Sequence, residues 1–314
     1  MEDVAVPSSR LPMFQQSQAA QPLPFPLSRV SLGSATFGRE IDSDAAFAMM
    51  DHAVAQGITL FDTAANYSGG ASERIIGQWL AARGAFSGRP ALATKLFPPY
   101  TAATIESGTD ASMQRLGVQT LDLLYLHKWD AAVESITVLS ALDELVRTGR
   151  VRSIGVSNFS CRQLQDLILL QKRLDVAPIK VLQNNHNLAV RECGPPIREF
   201  CSSEGITIIS YSPLGAGYLT GKHIGGVQPG SRFDVMPGHQ AIYLQPDSEA
   251  RLRRLADLSA RCSRSMSHLA LVWALRQPGI GSTLVGGRTP GHIDQAFAAL
   301  AEQDPAVLQE LAML

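Results

Sequence analysis

Eight short, nearly unbroken apolar runs, each separated from the next by a segment of helical periodicity, constrain this chain more than any other feature. They cover residues 30–32, 58–62, 91–95, 121–127, 151–157, 181–184, 206–211 and 282–285. A strand covered on both faces reads in this way, because neither set of its alternating side chains meets water. Helical stripes are predicted over 43–56, 72–83, 104–116, 138–148, 163–172, 196–204, 248–262, 267–276 and 292–302. In the first of these, Asp42 or Ser43 can cap the start, Phe47, Met50 and Val54 share a face, and Gly57 ends it. Eight strands alternating with helices predict a single-domain α/β fold, a parallel eight-stranded (β/α)8 TIM barrel.

The barrel is expected to span residues 29–314. Residues 1–28 carry Pro7, Pro12, Pro22, Pro24 and Pro26 and are expected to form a disordered leader, since prolines this frequent oppose helix and central strand alike. Residues 215–246 are rich in glycine and proline and show little periodicity. A loop of that length inside a domain is usually functional.

Charge narrows the partners. The formal net charge is −1, so no overall field draws the chain to nucleic acid or to an acidic membrane. No apolar run has the length of a membrane span, and no secretory h-region is visible. Cys161, Cys193, Cys201 and Cys262 show no CxxC spacing. Reduced thiols in the cytoplasm are therefore expected. The histidines are too scattered for a metal centre, and none is expected. Oligomeric state is left open.

Polar residues mark where chemistry belongs. Asp62 ends the second run, Lys95 ends the third, and His127 follows the apolar stretch of the fourth. Reactive groups of a parallel barrel sit at the C-terminal ends of its strands. Tyr67 lies five residues beyond Asp62.

Eight separated segments then match one family. They are LGSATFG (32–38), LFDTAANYSGGASERIIGQWL (60–80), ATKL (93–96), LDLLYLHKWD (121–130), IGVSNFS (154–160), QNNHN (183–187), ISYSPLGAGYLTGK (209–222) and LVGGRTPGHI (284–293). In this order they resemble the aldo-keto reductases, NAD(P)H-dependent oxidoreductases on an eight-stranded barrel. The resemblance implies a tetrad of Asp62, Tyr67, Lys95 and His127. Tyr67 would be the general acid toward a small-molecule carbonyl, and Lys95, held by Asp62, would favour its phenolate. His127 would orient the carbonyl and donate to the developing oxyanion.

The resemblance also implies a coenzyme site. Ser157, Asn158 and Gln183 match the positions that hold the nicotinamide carboxamide, and Tyr211 the one that stacks on the ring. Gly33, Ser34 and Ala35 belong to the same implied site. Ser212, Pro213, Leu214, Gly215 and Gly217 would wrap the pyrophosphate. At the adenosine end Gly286, Gly287 and His292 depart from the usual Lys-Ser and Arg pattern, leaving Gly287, Arg288 and Gln295 as contacts. NADPH is the implied coenzyme, with NADH possible. Phe37, Phe97, Trp129 and Tyr218 are candidates for an apolar mouth, which suits neutral aldehydes, ketones or sugar-derived carbonyls. Some relatives act as nicotinamide-binding regulatory subunits of low turnover, which is the alternative.

Overall fold

In a computed structural model, which describes residues 23–84 and 88–314, eight strands pair in chain order and close into a barrel. They are β1 (Val30–Gly33), β2 (Leu60–Asp62), β3 (Ala91–Leu96), β4 (Leu123–Leu126), β5 (Ile154–Ser157), β6 (Ile179–Asn185), β7 (Thr207–Tyr211) and β8 (Ile280–Val285). Every pairing is parallel, and β1 meets β8 through Val30↔Thr283 and Leu32↔Val285. The predicted barrel is the observed fold.

Helices cover the outside: α1 (Ser43–Ala55), α2 (Ala71–Arg83), α3 (Ala102–Leu116), α4 (Ile136–Arg147), α5 (Cys161–Leu174) and α6 (Pro195–Ser203), then α7 (Arg232–Val235) and α8 (Gly238–Tyr243) in the β7 insertion. α9 (Pro246–Cys262) and α10 (Met266–Leu275) precede β8, and α11 (Gly291–Leu300) and α12 (Pro305–Ala312) follow it. Their ends follow local chemistry. The Asp42 side chain accepts from Ala45 N at the start of α1, and Ser160 and Gln163 cap α5 reciprocally. α4 buries Val138, Leu139, Leu142 and Leu145 along one stripe, as its sequence period requires.

The core has two parts because strand side chains alternate. Leu92, Leu96, Leu124 and Leu126 face outward and pack under the helices. Leu60, Ala91, Ala93, Leu123, Tyr125, Val181, Ile209 and Leu284 form a separate cluster inside the barrel. On β2 and β3 the inward line therefore runs from Leu60 to Asp62 and from Ala91 through Ala93 to Lys95. Two residues of travel change apolar packing into charge.

Three features differ from expectation. Residues 1–22 of the expected leader lie outside the described residues, but its last part is packed. Phe25 is buried in the inner cluster, with Leu23 and Leu27 beside it, so the segment closes the barrel around Leu60, Ala91 and Leu123. The stretch 215–246 holds α7 and α8, each too short to leave a readable period. The chain also forms α12 beyond the last predicted helix.

Candidate active site

Asp62 and Lys95 meet inside the C-terminal end of the barrel and form an ion pair with almost no exposed surface. Lys95 Nζ also donates to Thr63 O at 2.8 Å. Gln183 Nε2 donates to Asp62 Oδ2 at 2.8 Å, so both carboxylate oxygens are engaged. Burial pushes the Asp62 carboxyl up, against the pull of Lys95 and Gln183. Burial opposes the Lys95 charge as well, but Asp62 and Tyr67 outweigh it and hold the ammonium above its ordinary value. The group is a charged side chain fixed in a dry chamber.

The turn after β2 delivers Tyr67 to that chamber. Thr63 N donates to Ala93 O and Ala65 N to Lys95 O, while Tyr67 N donates to Ala64 O at 3.0 Å. Tyr67 is half-buried, its ring centroid 5.1 Å from Lys95 Nζ. His127 stands edge-on to it, ring centroids 5.8 Å apart. His127 Nδ1 is buried and has no hydrogen-bond partner among the described residues, so Nε2 is the nitrogen left to the cleft. Burial, then the charges of Lys95 and Lys128, push its pKa down to about 3. The imidazole is therefore neutral near pH 7 and can donate one hydrogen bond without being an acid. The four residues implied for catalysis are thus brought together.

The residues implied for the coenzyme sit on neighbouring strand ends. Asn158, at φ 61°, donates Nδ2 to His127 O at 2.8 Å, and Tyr211 OH donates to Asn158 Oδ1 at 2.6 Å. Ser157 Oγ accepts from the same amide at 3.1 Å. Ser34 Oγ donates to Asp62 O at 2.8 Å, which places the Gly33–Ala35 turn against the tetrad. The segment after β7 is wound through positive φ at Ser212, Gly215, Ala216 and Gly217. At Gly217 a Cβ would lie 2.8 Å from Lys222 Nζ, so the ammonium rests directly on that backbone. Pro213 and Leu214 complete the turn, and Gly287 O accepts from Thr36 Oγ1 at 2.8 Å. Gln295 is exposed on α11 in a cleft with Ser265, Ser267 and His268, and no hydrogen bond among the described residues links it to the strand ends.

This donor set fits a nicotinamide dinucleotide. Lys222 and Arg288 have no carboxylate partner among the described residues. Burial and then the nearby Arg288 and Arg232 lower the Lys222 pKa, as expected where cations crowd one another. Arg232 is also bound to Glu40 at 2.8 Å, tying the β7 insertion to the turn after β1.

Two pocket candidates are corrected. Phe37 has no exposed surface, because the turn after β1 folds back through its bridge to Ile41 and sends the ring into the outer core. Tyr218 is buried in a stack with Phe233 and Tyr243. Phe97 remains exposed beside His127, ring centroids 5.8 Å apart, and Trp129 is partly buried.

Sequence reasoning missed three residues. Lys222 closes the quoted segment 209–222, where a lysine after a glycine-rich turn is a phosphate signal. Tyr125 lies two residues before His127, and strand alternation alone puts it inside the barrel, its ring 5.7 Å from Lys95 Nζ. Lys128, directly after His127, extends its ammonium over the Phe97 ring at 4.7 Å.

Known proteins similar to this chain point to one family. The chain is 31% identical over 284 residues to the aldo-keto reductase YhdN of Bacillus subtilis (strain 168), covering 85% of this chain and 83% of that one. It is 28% identical over 323 residues to the protein tas of Escherichia coli (strain K12), covering 91% and 93% respectively. It is 26% identical over 308 residues to the aldo-keto reductase dtxS3 of Metarhizium robertsii (strain ARSEF 23 / ATCC MYA-3075), covering 86% and 82%. The profile of the Aldo/keto reductase family matches residues 29–312, and the chain therefore belongs to that family of NAD(P)H-dependent carbonyl oxidoreductases.

Proposed function

We propose that this protein reversibly reduces the carbonyl of an aldehyde, ketone or sugar-derived substrate to an alcohol in the cytoplasm, without a metal, with NADPH preferred and NADH accepted. One observation carries the proposal: a buried Asp62–Lys95 pair beneath the half-buried Tyr67, with a neutral His127 across from it. Bound NADPH would supply the hydride. Tyr67 gives its phenolic proton to the carbonyl oxygen, and the Lys95 ammonium stabilises the charge left on the phenolate. Asp62 keeps that ammonium charged and in place. His127, through Nε2–H, fixes the carbonyl oxygen within reach of Tyr67.

Ser157, Asn158 and Gln183 offer amide and hydroxyl partners for the carboxamide, and Tyr211 a face for the ring. Lys222 and Arg288 serve the phosphates. Fluorescence titration with NADPH and NADH, followed by turnover of 4-nitrobenzaldehyde, tests the proposal. Tight binding with turnover supports it; binding without turnover favours a regulatory, low-turnover role. In the same assay Arg288→Ala should weaken NADPH more than NADH, and an equal loss would remove Arg288 from the 2′-phosphate site.

A further inference from the structure

The mouth of the site is not electrically neutral. Two consecutive residues just after β4 flank the exposed Phe97 ring: the His127 imidazole and the Lys128 ammonium. Lys128 is exposed, and no described carboxylate pairs with it. The adjacent Asp130 is already committed, its Oδ1 accepting from Ala132 N at 2.9 Å as the cap of the following turn. The ammonium is instead held over the face of Phe97, 4.7 Å from the ring centroid. The same ring meets His127 edge-on. One aromatic ring thus separates the carbonyl-orienting imidazole from a cation with no carboxylate partner among the described residues.

We propose that Lys128 is a specificity-determining residue, and that the site prefers carbonyl substrates bearing a carboxylate or comparable oxyanion about one ring's length from the reacting carbon. This rests on the reductase function proposed above and names its substrate class. A carbonyl between Tyr67 and His127 places the body of such a substrate along Phe97 and its anionic end at Lys128. The ring contact limits the motion of the ammonium, so less freedom is lost when an anion arrives. A lysine that only covered Phe97 with its methylenes would serve equally well without charge. That difference is measurable.

The test uses the full chain with NADPH, comparing kcat/KM for 4-carboxybenzaldehyde and 4-nitrobenzaldehyde in the wild type, Lys128→Met and Lys128→Arg. The wild type should favour the carboxylated aldehyde, and raised salt should erode that preference. Lys128→Met should lower the ratio of the two kcat/KM values by about threefold to tenfold, mostly through KM, as expected for a partly exposed ion pair. Lys128→Arg should restore it. A ratio unchanged in Lys128→Met overturns the proposal and leaves the reductase reading standing. Bound NADPH with no turnover of either aldehyde would instead overturn the reductase reading, and the substrate class with it.

Discussion

The two ends of the barrel interior are made by the same strands and hold opposite contents. Around Phe25 the axis is filled by Leu60, Ala91, Ala93 and Leu123. One inward position further along, β2 and β3 present Asp62 and Lys95, and Gln183 joins them from β6. Side-chain period cannot distinguish these positions, since all of them face the axis. Distance along the strand does. The apolar floor is also part of the chemistry, because it keeps water from beneath the ion pair and so strengthens its field.

The sharpest way to test this division is at the polar end. Tyr67→Phe should lower carbonyl reduction by about 10²- to 10⁴-fold, the usual worth of a general acid, with NADPH affinity and thermal stability nearly unchanged. Comparable activity in the variant would take the acid role from Tyr67. Lys95→Met should cost both properties, since it strands a buried carboxyl: about 3–5 kcal/mol of stability, read by denaturant unfolding, together with most of the activity. A variant as stable as the wild type would mean that the Asp62 site is wetter than its burial implies.

At the other end, Phe25→Ala should remove about 3 kcal/mol of stability by opening a cavity below the barrel, while kcat holds. A fall in kcat matching the loss of stability would show that the two ends are not independent. The smallest effect concerns acid. His127 binds its proton only near pH 3 when folded, against about 6.5 when unfolded. Between those values the unfolded chain carries more protons, so stability falls as pH drops through that window. His127→Asn should therefore show a smaller loss of Tm between pH 7 and pH 4.5 than the wild type.

Much of this architecture was legible in the sequence because β-strands buried on both faces leave unbroken apolar runs. Asp62, Lys95 and His127 could be placed at strand ends for the same reason. Their convergence with Tyr67 was implied by resemblance, since a turn of five residues carries no period from which its direction can be read. Phe25 was illegible for a different cause. It lies between prolines in a segment without periodicity, and only the closed barrel supplies the surface that buries it. α7 and α8 are each shorter than two helical turns, too short for a stripe to emerge. Lys128 was visible as a residue, but its orientation over Phe97 depends on two separate strands being neighbours.

Tyr125 pairs directly with Gly155 across β4 and β5, and a Cβ on Gly155 would fall 2.6 Å from the tyrosine ring. The two positions share one fixed allotment of space inside the barrel. Any side chain at 155 requires a smaller one at 125 and some give at Val181 O, which would lie 3.0 Å from the new Cβ, so an engineer repacking the chamber beneath Lys95 must change the two positions together. Single substitutions at position 155 would report collision, whatever their chemistry.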